Sequence, residues 1–424
     1  MSFTSVPESS GAPSGVDRSR WSDVGLAVAA RAVSSCGDLL AATALLITLQ
    51  ARGAGGYAVA ALLLAAAVPP VLLARWTGRL ADRVDSRLLL VATGLAQAVI
   101  CAAMAFAGGT APLVALVALL SCGYAVTQPT LAALLPAMVR RRDIVRAGAL
   151  GQTANAVGSL VAPALAGVLT GALGLRVPLF VDAASYLAIA VAGVLIRTRR
   201  GGPAARADAA VPTRPAPAWR LRADPLLRTM LVTSAAVVAA VCAINVAEVF
   251  LVRGVLHSSA TAYGLLGAAW TGSTILGGAA LTRRNWGDAS ISVAMLGAFA
   301  VTSGSVLAAA TAPSLSWLVP MFVVGGAGNG VLNVAAAALL ARRTPPAARG
   351  RAFATFGAVG NAAMAVGFVL GGVLLGLRSV RLTVGLAGLF GLLVTAAFAV
   401  PMLKAAAHDR ASATVAAPDA PVLT

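Results

Sequence analysis

Twelve continuous apolar runs, each close to the roughly 20 residues that a helix needs to cross a bilayer, constrain this chain more than any other feature. They lie near Val24–Gln50, Tyr57–Leu73, Leu88–Ala107, Pro112–Met138, Ala147–Leu173 and Val177–Ile196. After a polar stretch come Leu226–Val252, Ala262–Leu281, Ile291–Ala310, Leu315–Leu340, Phe353–Leu377 and Leu382–Leu403. Lipid offers no hydrogen bonds, so a spanning segment must pair its own backbone as a helix or join a closed barrel. Barrel strands alternate apolar and polar residues over about ten positions; these runs do not alternate. The expected class is all-α transmembrane. Only 11% of the residues are charged, against about a quarter in soluble domains, which excludes a soluble enzyme.

The charges that remain are sorted by position. Lys+Arg number 32 against 14 Asp+Glu, a formal net charge of +18. Such a balance can mark nucleic-acid binding. Here the basic residues sit in short gaps between apolar runs rather than on a polar domain, and no nucleic-acid partner is expected. With the N-terminus inside, the inner gaps hold Arg75, Arg79, Arg83 and Arg87, then Arg140, Arg141, Arg142 and Arg146. Further inner gaps hold Arg283 and Arg284, then Arg342, Arg343, Arg349 and Arg351. The outer gaps hold only Arg52, Arg176, Arg253, Arg378 and Arg381. Cytoplasmic loops collect basic residues, so both termini are predicted to be cytoplasmic and the protein to lie in the cell (cytoplasmic or inner) membrane.

The longest polar interruption, Arg197–Asp224, contains Pro203, Pro212, Pro215 and Pro217 and reads as a flexible linker. It sets the expected organisation: a disordered cytoplasmic tail over 1–21, a six-helix bundle over 22–196 and a cytoplasmic linker over 197–224. A second six-helix bundle follows over 225–403, then a disordered cytoplasmic tail over 404–424. An internal repeat supports the division. Ala162-Pro-Ala-Leu-Ala-Gly-Val-Leu169 in the fifth run matches Gly367-Phe-Val-Leu-Gly-Gly-Val-Leu374 in the eleventh, and the same offset carries Arg146-Ala147 onto Arg351-Ala352. Parallel halves related by an axis along the membrane normal produce such a repeat.

Between the second and third runs the chain reads Gly78-Arg-Leu-Ala-Asp-Arg-Val-Asp-Ser-Arg87. This resembles the signature loop of the major facilitator superfamily, G-x-L-a-D-r-x-x-r-r, at the expected place. The resemblance implies twelve transmembrane helices in two pseudo-twofold six-helix bundles. It also implies a conformational latch made by Gly78, Asp82, Arg83 and Arg87 while the inner face is closed. Gly78 suits a tight helix end and close packing, and Asp82 is an acceptor for an arginine or a helix N-terminus. Ser35-Cys-Gly-Asp38, Leu134-Leu-Pro136, Asp182-Ala-Ala-Ser-Tyr186 and Tyr263-Gly-Leu-Leu266 resemble the branch with macrolide and enterobactin exporters. The corresponding loop of the second half, Ala279-Ala-Leu-Thr-Arg-Arg284, has no aspartate. Gly158, Pro163 and Gly167 partly match the antiporter signature of the fifth span, and they read equally well as a small-residue packing face.

An ionisable residue inside a span costs about 2.5–3.5 kcal/mol on insertion scales, so each is a candidate for function. Asp38, with Arg31 two turns earlier on the same face, reads either as a cavity carboxylate for a proton or a cationic substrate or as a structural polar pair. Asp182 and Glu248 are further coupling candidates, with helix capping or interface wetting as the alternative; Asn245 shares a face with Glu248. Tyr124 and Gln128 in the fourth run, Asn155 in the fifth, Trp270 in the eighth and Asn329 and Asn333 in the tenth are cavity-lining candidates. His257 and His408 fall outside the runs, and Cys36, Cys101, Cys122 and Cys242 fall inside them without a CxxC pair. No metal, cofactor or catalytic constellation is expected, and no phosphate-binding GxxxxGK[ST] loop is present.

The expected function is secondary transport by a permease of the major facilitator fold. The preferred form is proton-coupled export, by alternating access, of an amphipathic or hydrophobic drug-like or natural-product molecule. A monomer is expected. An importer on the same fold and a non-transporting membrane sensor or partner are the alternatives.

Overall fold

Among the described residues the apolar runs become twelve helices long and apolar enough to cross a membrane. The computed structural model describes residues 19–199, 224–283 and 286–415, without the side chains of residues 81, 82, 141, 145, 347 and 405–415. The first half contains α1 (Trp21–Ala51), α2 (Gly56–Arg83), α3 (Ser86–Met104), α4 (Thr110–Met138), α5 (Ile144–Leu173) and α6 (Arg176–Leu195). The second contains α7 (Pro225–Val249), α8 (Ala260–Thr282), α9 (Asp288–Ala310), α10 (Leu315–Arg343), α11 (Arg349–Leu377) and α12 (Val380–Val415). A π-helical segment, Phe250–Val255, extends α7.

Polar contacts at the helix entrances bring both halves' ends to one face, called here the terminal face. In the first half, Thr198 donates from its backbone N–H (2.9 Å) and its hydroxyl (2.7 Å) to Asp23 at the start of α1. Ser19 donates to Asp143 at 2.5 Å, and the Arg20 N–H donates to the Met138 carbonyl at 2.8 Å. In the second half, Asp224 caps α7 through the N–H groups of Leu226 and Leu227 and also pairs with Arg343 at 2.8 Å. Arg342 and Arg343 reach Asp288 at 3.2 and 3.7 Å. Each entrance thereby satisfies helix-end groups that would otherwise face the interfacial region unpaired.

The structure corrects several expected boundaries. Residues 19–21, expected in a disordered tail, are tied to α4 and the α4–α5 junction. Thr198 and Asp224, at the two ends of the expected linker, are likewise fixed, while residues 200–223 of that linker lie outside the described residues. The expected tail from 404 instead continues α12 to Val415, where alanines favour helix; residues 1–18 and 416–424 lie outside the described set. Most consequential, α2 does not end near Leu73. It passes Pro69 and Pro70 and continues to Arg83. The signature stretch is therefore mainly the last turns of a helix, broken at the extended Val84, after which the Asp85 side chain accepts from the Arg87 N–H at 2.8 Å to cap α3.

The bundles meet through small residues far from the terminal face. On α5, a Cβ placed on Gly167 would come within 3.1 Å of the Thr261 and Gly264 Cα atoms of α8. On α11, a Cβ on Gly372 would come within 2.7 Å of the Ala60 Cβ of α2, and one on Gly56 of α2 within 2.8 Å of the Leu375 Cβ. Gly167 and Gly372 are equivalent positions of the sequence repeat, so the two crossings are the same contact made twice about the pseudo-twofold axis. Toward the terminal face, Gly78 on α2, Gly148 on α5, and Gly350, Gly357 and Gly360 on α11 have open space within 4 Å, while Gly151 of α5 and Gly277 and Gly278 of α8 meet only their own bundle. The glycine contacts between the bundles thus lie away from the terminal face. The expected close packing at Gly78 is absent because in this conformation the helix end it occupies stands apart from the opposite bundle.

Gly264→Val should therefore destabilise this conformation. The added side chain meets the Pro163 carbonyl and Gly167 of α5, an overpacking that costs about 1–3 kcal/mol. Spin labels at Leu173 and Ser258, at the far ends of α5 and α8, should report a longer distance distribution than in the parent protein.

Candidate functional site

The buried carboxylates of the first half are held where α6 is pressed between α1 and α3. Gly94 of α3 lets that helix approach the Tyr186 carbonyl, where a Cβ would come within 2.9 Å, and Gly193 of α6 admits the Leu90 side chain at 2.8 Å. From the other side Gly37 of α1 faces Asp182 and Ser185, with a built Cβ 2.6 Å from the Ser185 hydroxyl oxygen. These approaches place two residues one turn apart on α6, Asp182 and Tyr186, against Asp38.

Asp38 and Asp182 have different surroundings. The Tyr186 hydroxyl donates to Asp38 Oδ1. Asp38 Oδ2 is buried and has no hydrogen-bond partner among the described residues. Asp182 is fully buried; its Oδ1 accepts from Ser185 at 3.0 Å and its Oδ2 from the Cys101 thiol at 3.3 Å. Asp182 is thus a satisfied internal carboxylate and caps no helix end, while Asp38 has one oxygen to spare. Both line a cavity of about 420 Å³ inside the first bundle, with Ser35, Ser121, Tyr124, Asn155, Ser159 and Tyr186 as its other polar groups. Among the described residues Arg31 makes no ion pair with Asp38.

A second cavity, of about 330 Å³, lies between the bundles and shares Leu39, Ala42 and Leu63 with the first. Glu248 and Asn245 of α7 line it, without a hydrogen bond between them, together with Tyr263 and Trp270 of α8 and Phe322 of α10. Trp270 and Phe322 pack edge to face with ring centroids 5.7 Å apart. Pro163, one of the antiporter-like residues, also reaches this cavity. Gly158 and Gly167 act in packing: a Cβ on Gly158 would approach the Ala32 carbonyl of α1 to 2.9 Å.

Of the expected lining residues, Tyr124, Asn155, Asn245 and Trp270 face these cavities. Gln128, Asn329 and Asn333 do not. Asn333 donates to Asn329 at 3.0 Å, one turn away on α10, outside both cavities. In the signature stretch, Arg83 is exposed and Arg87 half-buried, and neither forms an ion pair with another described side chain; the side chain of Asp82 lies outside the described set. Gly37, Ser185 and Tyr186 stood in the sequence only within family-resembling stretches and Cys101 only as a cysteine without a CxxC partner; none was a site candidate. The four-residue spacing of Asp182 and Tyr186 was the available signal; Cys101 and Gly37 gave none, since their roles depend on which helices touch.

Two six-helix bundles that cross through small residues and enclose carboxylate-bearing cavities in an apolar interior define a secondary transporter of the major facilitator fold. The chain belongs to the transmembrane secretion effector family, which matches residues 26–422, and members of that class carry molecules across membranes rather than catalyse reactions. Comparison with curated proteins finds no match. Among solved structures, the nucleoside transporter NupG superposes with a TM-score of 0.69 at 16% identity, covering 89% of this chain and 98% of that one. A bacterial homologue of the iron transporter ferroportin in its inward-facing state gives a TM-score of 0.69 at 18% identity over 92% of this chain and 100% of that one. A POT-family transporter in complex with a peptide conjugate gives 0.72 at 8% identity over 90% and 96%. At these identities the likeness concerns the fold.

Tyr186→Phe should lower stability. It removes the one hydrogen bond that Asp38 receives among the described residues, and stranding a buried acceptor costs about 1–3 kcal/mol. The melting temperature in detergent should fall. Tyr124→Phe, whose hydroxyl makes no such bond, should melt like the parent.

Proposed function

We propose that the protein exports an amphipathic small molecule by alternating access, driven by proton uptake and release at Asp38. The observation that carries the reading is the uneven treatment of the Asp38 carboxyl: one oxygen held by Tyr186, the other buried at the cavity wall without a partner. A buried carboxylate is costly unless neutralised or paired, so a group in this setting gains most from a proton when the cavity is dry. The walls are largely Leu, Ala and aromatic, which suits a substrate with a large apolar surface over a sugar or a phosphate. The family description, secretion effector, favours the outward direction. The terminal face, which bears most of the arginines, is the cytoplasmic one on the positive-inside rule; the conformation described is then inward-open, with the protein working as a monomer in the cell membrane. Asp82, Arg83 and Arg87 would close that face in the alternate state.

Everted vesicles loaded by an imposed proton gradient, with an amphipathic fluorescent dye as cargo, test this directly. Dye should accumulate inside vesicles that carry the parent protein, collapse with a protonophore, and fall to the level of protein-free vesicles for Asp38→Asn despite normal membrane insertion. Accumulation in right-side-out vesicles instead would establish an importer. Unchanged, gradient-dependent transport by Asp38→Asn would remove that residue from coupling.

A further inference from the structure

We propose that the cavity between the bundles binds a lipophilic cation and that Glu248 is its counter-charge. The inference rests on the reading of the protein as a carrier of amphipathic molecules and adds the charge of the substrate and the residue that selects it.

Three observations converge on Glu248. Its carboxylate lines the interfacial cavity yet accepts no hydrogen bond and pairs with no cation among the described residues, whereas Asp38 and Asp182 both have donors from their own bundle. Arg253, the basic residue nearest along the chain, turns away: its guanidinium donates to the Ile47 carbonyl of α1 at 3.5 Å. The rest of the wall is mostly aromatic and aliphatic, with Thr43, Asn245, Thr271 and Ser305 as its uncharged polar groups; Tyr263, Trp270 and Phe322 line the same cavity, and the Trp270–Phe322 pair is fixed edge to face at 69°.

A lone carboxylate in an apolar wall is an incomplete pair. A neutral guest would strip its water and leave it unmatched, and an anion would add repulsion. A cation with an apolar body supplies the missing charge, and its surface meets ring faces that attract positive charge. The two cavities then divide the work. Asp38, inside the first bundle and already held by Tyr186, has room for a proton; Glu248, on the second bundle and facing the first across the interface, has room for a larger ion. Leu39, Ala42 and Leu63 form the wall between the two.

Equilibrium binding to the purified full-length protein in detergent, with no gradient, separates this from the transport reading. The probes are tetraphenylphosphonium and tetraphenylborate, which share shape and apolar surface and differ in sign. The phosphonium should bind more than about tenfold tighter than the borate. In Glu248→Gln the two affinities should come within about threefold of each other, while Glu248→Asp should retain the phosphonium preference. Equal affinities in the parent protein, a preference for the borate, failure to bind either ion, or a phosphonium preference that survives Glu248→Gln would each overturn the assignment. Should Glu248→Gln fail to fold, the parent ratio and that of Glu248→Asp decide. Because binding has neither direction nor driving force, a negative result leaves proton-coupled export at Asp38 standing, and a failed vesicle assay leaves the binding result standing.

Discussion

Everything in this molecule depends on two bundles touching where neither has side chains to spare. At the α5–α8 and α2–α11 crossings, glycine and alanine bring backbones into van der Waals contact. In lipid the apolar effect does not drive helices together, so close packing of this kind is what association can draw on. The same contacts are easy to release. A crossing held by dispersion alone has no desolvated charge to strand when it opens, unlike the Asp224–Arg343 pair that binds the ends of α7 and α10 within one bundle. Polar ties inside each bundle and mostly apolar contacts between them, the Arg253–Ile47 hydrogen bond apart, suit two bodies that move as units.

The same division explains what could be read from the sequence. The spans were legible because bilayer crossing is a property of a contiguous run, and a run shows itself without knowing its neighbours. The 6+6 order was legible because the repeat preserves the residues that make the two crossings, Gly167 and Gly372. Helix ends were less so. Hydropathy falls at Ala74–Arg83 although the helix does not, since an amphipathic last turn needs only backbone pairing and the proline pair upstream leaves α2 unbroken. The alanine-rich start of the C-terminal segment misled in the same way.

The carboxylates were found because charge in an apolar run is conspicuous, but their partners were not. That Tyr186 meets Asp38 follows from the rotation of α6 against α1, which Gly37, Gly94 and Gly193 set by close approach on two sides. That Arg31 does not pair with Asp38 has a different origin within α1: seven residues put the two about 10 Å apart along the helix axis. Of the amides, Asn155 and Asn245 face the cavities, while Asn329 and Asn333, one turn apart on α10, hydrogen-bond to each other outside both.

The placement of the carboxylates has a mechanical consequence. Asp38 and Asp182 belong to one moving body and Glu248 to the other. A ligand shifts a conformational equilibrium only by its differential affinity for the two states. A proton on Asp38 touches one bundle alone, so its leverage must come from a change in hydration of its cavity as the faces open and close. In the proposed mechanism a guest beside Glu248 would contact Leu39 and Pro163 of one bundle and Trp270 of the other, so rocking would alter its contacts directly. Coupling between the two would then require no relay of charge across the interface. The shared wall at Leu39, on the residue next to Asp38, would be enough: a guest that displaced it would change the packing and wetting of the carboxyl behind it, and α1, which carries both, would be the helix through which proton and cargo sense each other.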